Sequence, residues 1–192
     1  MIRTAIFGGS FNPVHLGHLG LARKVLEKQL ADEVWLMVSP QNPLKPNGSL
    51  LDENVRFHLA SIAVENETGI KASRFEFNLP RPSYTFRTME SLCQTYTDRE
   101  FSLLIGADNW AVFDRWAHHD ELLAKYPIIV YPREDSPLSS VDIPKNVSVL
   151  DAKLLPVSST EIRRRISAGE DCSALMPPQV FEEIKRRGYY KM

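Results

Sequence analysis

Hydrophobic and polar positions follow two periods along this chain. Short apolar or β-branched runs, each the length of one strand, occur at Arg3–Phe7, Glu33–Val38, Lys71–Phe77, Phe101–Ile105, Pro127–Tyr131 and Val147–Leu150. Between them apolar residues return at the spacing of a helix face, over Leu16–Leu30, Asp52–Glu65, Tyr84–Tyr96, Asn109–Lys125, Ser159–Ala168 and Pro178–Arg187. Asp52 is a plausible cap and Gly188 a stop signal. Strands alternating with helices of this length predict an α/β fold: a Rossmann-like, doubly wound, mostly parallel sheet with helices on both faces. Ligands of such sheets bind beyond the carboxyl ends of the strands. Gly8, Gly106 and the proline-bearing segments Ser39–Ser49 and Pro132–Asn146 all leave such ends, so they converge on one crevice.

Composition narrows the picture. A chain of 192 residues, 43% hydrophobic, is expected to form one domain over 1–192 with a substantial core. No apolar run approaches the roughly 20 residues of a membrane span, and the first residues do not read as a signal peptide. Cys93 and Cys172 stand far apart and imply neither a disulfide framework nor a zinc site; a reducing cytoplasm is the natural setting. The net charge of -1 argues against a nucleic-acid or membrane surface, so any anion site must be local.

The richest segment is Ala5 to Leu19. An apolar strand runs into Gly8-Gly9-Ser10, a turn whose backbone can approach a ligand closely. Asn12-Pro13 then looks like an N-cap followed by the first helical position, which would aim free N–H groups at an anion in the turn. His15 and His18 follow three apart, on one helical face. The segment is neither a dinucleotide fingerprint nor a P-loop, and two histidines without H-E-x-x-H do not make a zinc site.

A second element is Val157-Ser158-Ser159-Thr160-Glu161-Ile162-Arg163. Ser158 and Glu161 match a capping box, which needs no ligand. Ser159, Thr160 and an arginine in the first turns of a helix are also what a phosphate chain requires. Successive helix residues point about 100° apart, so at most one or two of Arg163, Arg164 and Arg165 face one ligand, and Arg163 is the choice.

Together the two elements resemble the signatures of the H-x-G-H nucleotidyltransferase superfamily, G-x-F-x-P-x-H-x-G-H and I-S-S-T-x-I-R, with Val157 in place of isoleucine. Within it the chain is similar to the bacterial nicotinate-nucleotide adenylyltransferases along nearly its whole length. Pro82-Ser83-Tyr84-Thr85, Leu104-Ile105-Gly106-Ala107-Asp108, Trp116 and Tyr131-Pro132-Arg133 fall where that family has its corresponding segments. Pro43-Leu44-Lys45-Pro46 departs from the family's P-H-[KR]; the basic residue is kept and the histidine is not.

The resemblance implies adenylyl transfer from ATP to nicotinate mononucleotide, giving deamido-NAD and pyrophosphate. It implies that His15, His18 and Arg163 are catalytic, with the histidines in a protonated donor form beside the polyphosphate. Gly8, Gly9, Ser10 and Phe11 would line the phosphates with backbone. Ser158, Ser159, Thr160 and Lys45 would help hold them. Gly106 and Asp108 would meet the ribose. Thr85, Trp116 and Arg133 would receive the nicotinate ring, its carboxylate or a phosphate. The segment from about 159 to 192 would complete the phosphate site. Mg²⁺ is expected on the ATP phosphates without a dedicated protein cage. Partners are small-molecule substrates alone, with a homo-oligomer left open. Nicotinamide mononucleotide or phosphopantetheine as acceptor, and a non-catalytic nucleotide sensor, stay open as alternatives.

Overall fold

The computed structural model describes residues 1–40, 50–133, 143–152 and 155–191. Six strands form one sheet in the order β3-β2-β1-β4-β5-β6: β1 (Ile2–Gly9), β2 (Glu33–Val38), β3 (Ile70–Ser73), β4 (Arg99–Gly106), β5 (Ile128–Tyr131) and β6 (Val147–Val149). Every neighbouring pair is parallel. The helices are α1 (Leu16–Glu27), α2 (Glu53–Ala63), α3 (Thr85–Thr95), α4 (Ala107–Trp110), α5 (His119–Lys125), α6 (Ser159–Ser167) and α7 (Pro178–Arg187). No helix among the described residues is long and apolar enough to cross a membrane.

The strand alternation decides which helix covers which face. Successive strand residues point to opposite sides. Ala5, Phe7, Val34, Leu36, Val38, Leu104 and Ile129 share a core with residues of α1, α2, α6 and α7. Ile6, Trp35, Met37, Leu103, Ile105, Ile128 and Val130 share the other with residues of α3, α4 and α5. Strand order reverses direction between β1 and β4, and their carboxyl ends lie side by side at that switch point.

Four expectations are corrected. The Gly8-Gly9 pair is not a turn; it finishes β1, and the chain turns after it. Pro13 does not open the helix: α1 starts at Leu16 with His15 as its cap, because the His15 ring rather than the Asn12 side chain satisfies the free amide there. The strand expected over Lys71–Phe77 stops at Ser73, and Phe75–Asn78 forms a 3₁₀ turn that carries Glu76 inward to the hydroxyls of Thr88 and Ser83. The single helix expected over Asn109–Lys125 is broken into α4, a 3₁₀ turn at Phe113–Arg115, and α5. The break lets Trp110, Phe113 and Trp116 pack ring on ring, and puts His118 at φ 58° with its ring stacked on Phe86. That ring therefore packs against α3 although much of the side chain stays exposed.

Candidate active site

One half of the candidate site is built around the turn after β1. The Gly17 N–H donates to His15 Nδ1 at 3.1 Å, and the His15 N–H donates to His18 Nδ1 at 3.1 Å. A ring nitrogen that accepts from an amide holds no proton, so both imidazoles carry their proton on Nε2. The rings stack with centroids 3.7 Å apart. Burial, with the Arg133 charge adding to it, lowers the His15 pKa to about 4. Burial first, then His15 and Arg133, hold His18 well below the usual histidine range. The protonated form implied by the resemblance is thus not that of the chain on its own. Protonating either Nδ1 would break a backbone bond and place a cation beside the other ring. What the fold presents is a pair of neutral Nε2–H donors.

Gly17 is needed for this stack. A Cβ there would come 2.9 Å from the His15 ring and 3.0 Å from Val157, closer than real Cβ contacts allow. At Gly8 a Cβ would meet nothing within 4 Å among the described atoms, so that face of the strand end is open to a ligand.

The start of α6 docks on the same turn from the far end of the sequence. Arg163 Nη1 donates to the Asn12 carbonyl at 2.9 Å and Nη2 to Thr160 Oγ1 at 3.4 Å. Arg164 and Arg165 turn instead to Glu161 and Glu170. The structure thus separates Arg163 from its two neighbours. The three hydroxyls divide: Ser158 Oγ accepts from the Glu161 N–H as the cap, Ser159 Oγ donates to the Pro13 carbonyl at 2.9 Å, and Thr160 stays exposed beside Arg163. Two of the residues assigned to phosphate therefore have structural bonds of their own.

Across the switch point, Gly106 caps α4. A Cβ there would overlap Asp108 Oδ1 and come 3.1 Å from the Tyr131 ring. Asp108 Oδ1 lies 3.5 Å from Arg133 Nε, and Arg133 Nη2 donates to Tyr131 Oη at 3.3 Å. Tyr131 meets Phe7 edge-on, which ties this group to β1. Thr85 and Trp116 belong to the opposite flank. Thr85 opens α3, whose cap residue Tyr84 offers no side-chain bond to the helix amides. Trp116 packs on Phe113, and the His118–Phe86 stack joins its loop to α3. Lys45 lies outside the described residues.

Two residues that pattern reading passed over hold the site together. Arg56 sits in the apolar stripe of α2 with Leu59, Ala60 and Ala63, and an arginine in such a stripe was the available signal. Tyr190 donates to Asn12 Oδ1 at 2.8 Å, which also accepts from the Leu51 N–H; nothing in its local sequence marks it. Among the described residues no three His, Cys, Asp or Glu side chains gather as a metal site.

Residues 6–165 match the model of the cytidylyltransferase-like family. A "probable nicotinate-nucleotide adenylyltransferase" of Bacteroides fragilis is 43% identical over 182 residues, covering 95% of this chain and 90% of that one. The chain belongs to this family. A relative of the same name from Flavobacterium johnsoniae is 38% identical, over 99% of this chain and 100% of its own. Among solved structures, the nicotinic acid mononucleotide adenylyltransferase of Plasmodium falciparum complexed with NaAD shares the fold, with a TM-score of 0.82 at 17% identity over 99% and 98% of the two chains. The fold is therefore shared with that protein although little of the sequence is.

Proposed function

We propose that this chain transfers the adenylyl group of ATP to the 5′-phosphate of nicotinate mononucleotide, releasing pyrophosphate and forming deamido-NAD, a step of NAD biosynthesis. The names of its relatives support the acceptor. The observation that carries the chemistry is the Nε2–H pair of His15 and His18 beside the α6 terminus that holds Arg163.

An oxygen of the mononucleotide phosphate attacks the α-phosphorus of ATP in line, and the bond to the bridging oxygen of the β-phosphate breaks. The attacking phosphate is largely dianionic at pH 7, since its second pKa is about 6. No general base is needed; the work is positioning and spreading of charge. The neutral Nε2–H groups donate to phosphate oxygens where negative charge develops. Arg163 keeps guanidinium protons beyond those used on Asn12 and Thr160, and they face the departing pyrophosphate together with the α6 dipole. Arg133 adds charge from the β5 side, and Asp108 accepts from a ribose hydroxyl. Thr85 with the α3 amides, and the Trp116 ring, receive the nicotinate. Mg²⁺, brought in on the triphosphate, would mask phosphate charge. The reaction belongs in the cytoplasm.

The test is pyrophosphate release with ATP and Mg²⁺ and, in parallel, nicotinate mononucleotide, nicotinamide mononucleotide or phosphopantetheine. Preference for the nicotinate form is the expected result. Preference for another acceptor removes the acceptor half, and no release with any acceptor removes the catalytic reading in favour of a nucleotide sensor.

A further inference from the structure

We propose that Arg56 is a positioning residue of the phosphate site, a buried charge that fixes the Ser10–Phe11 peptide and waits for the polyphosphate as its counter-charge. The proposal rests on the ATP-binding reading above.

The Arg56 side chain is fully buried. Its Nε donates to the Leu51 carbonyl at 2.8 Å, Nη1 to those of Ser10 at 2.7 Å and Ser39 at 2.8 Å, and Nη2 to that of Pro40 at 3.1 Å. These carbonyls come from the turn after β1, the end of β2 and the entry to α2, so one guanidinium joins two strand ends to a helix start. Among the described residues no carboxylate pairs with it, and Asp52 and Glu53 act on it only at longer range. An interior cation without an anion is costly, and an apolar side chain of similar volume would avoid that cost. Here the charge sits directly beneath the turn that the polyphosphate must approach.

The peptide geometry gives it a second role. The Ser10 carbonyl and the Phe11 N–H belong to one planar trans unit, so drawing the oxygen toward Arg56 turns the N–H the opposite way. Phe11 has φ 45°, a left-handed conformation that a bulky residue keeps only when its surroundings impose it. The guanidinium imposes it from the carbonyl side. The Phe11 ring, seated 5.7 Å from Phe7 and 4.9 Å from His18, imposes it from the other. No described residue accepts from the Phe11 N–H. A carbonyl engaged by a cation also polarises its peptide and strengthens that N–H as a donor.

The test measures dissociation constants of a non-hydrolysable ATP analogue with Mg²⁺, and of nicotinate mononucleotide, for the wild type, Arg56→Lys and Arg56→Met. Lysine keeps the charge and loses the fork; methionine loses both. The expected result is a loss of analogue affinity of roughly tenfold for lysine and about 100-fold for methionine, in the range of one to two charge-assisted bonds. Affinity for the mononucleotide should change less than about threefold. Equal losses in the two variants, or equal losses for the two ligands, would overturn the proposal. If Arg56→Met does not fold, Arg56→Lys decides alone: a loss confined to the ATP analogue supports the proposal and a loss shared with the mononucleotide overturns it. A wild type that binds no ATP analogue removes the functional reading itself and this proposal with it, whereas wild-type turnover with unselective variants removes only the role of Arg56.

Discussion

His15 and His18 both use a ring nitrogen to hold the backbone of the helix start. Each spends Nδ1 on a backbone amide and keeps its proton on Nε2. Removing one such donor typically costs about 10²–10³ in turnover. His18→Ala is therefore expected to lower kcat by that order with its circular dichroism spectrum unchanged; near-wild-type turnover would show that the ring does not meet the phosphates. The same residues set a pH signature. Their folded pKa values are depressed from 6.5, to about 4 at His15, so the unfolded chain binds more protons over that window. Their contribution to stability is complete above pH 6.5 and is lost as pH falls toward 4. His15→Asn keeps a capping side chain without an imidazole, so urea midpoints between pH 7 and pH 5 should fall less steeply in this variant than in the wild type. A parallel decline in both would contradict the assignment of neutral rings.

At the scale of elements, α6 and the start of α3 carry the testable contacts. Ser159→Ala deletes one bond to Pro13 and should cost about 1 kcal/mol in a denaturation curve, with turnover reduced far less than by Arg163→Lys, which loses the fork that holds Asn12 and, on the proposed reading, would hold phosphate as well. Greater damage to turnover from the serine variant would mean that its hydroxyl binds phosphate after all. Glu76, buried beside α3, titrates in the other direction. Burial raises its carboxyl, against hydrogen bonds from Thr88, Ser39 and Ser83. The folded chain then binds more protons than the unfolded chain above pH 4.5, and stability falls as pH rises through that window. Glu76→Gln should flatten that fall, which the opposing histidine effect masks in the wild type; an unchanged midpoint difference from wild type across pH 5 to 8 would exclude it. Local pattern located most elements within a residue or two, because caps such as Asp52 and Gly188 act within one turn. It failed at Lys71–Phe77 and at Asn109–Lys125. There a buried carboxyl and a three-ring stack, both tertiary contacts, override the local period.

For the whole molecule, the two cores divide the labour. The layer of α1, α2, α6 and α7 frames the turn after β1, and the layer of α3, α4 and α5 carries Thr85 and Trp116. The two substrates should therefore be separable by mutation. Trp116→Ala is expected to raise the KM for nicotinate mononucleotide by about tenfold, the worth of one aromatic stack, while the KM for ATP stays within about twofold; equal effects would remove the stacking role. That the histidines and Arg163 gather at the turn after β1 was legible from their motifs; what they bind there is the proposal. Arg56 and Tyr190 were not legible, since each is defined by carbonyl or amide partners brought from distant segments. The turn after β1 is closed by Arg163, 151 positions beyond Asn12, and by Tyr190, 178 positions beyond it. On the ribosome, a chain that has emerged only as far as β6 can pair its strands but cannot yet brace this turn. If the proposed site is right, nucleotide affinity should arrive only with the last helices, so a nascent or truncated chain should not compete for ATP.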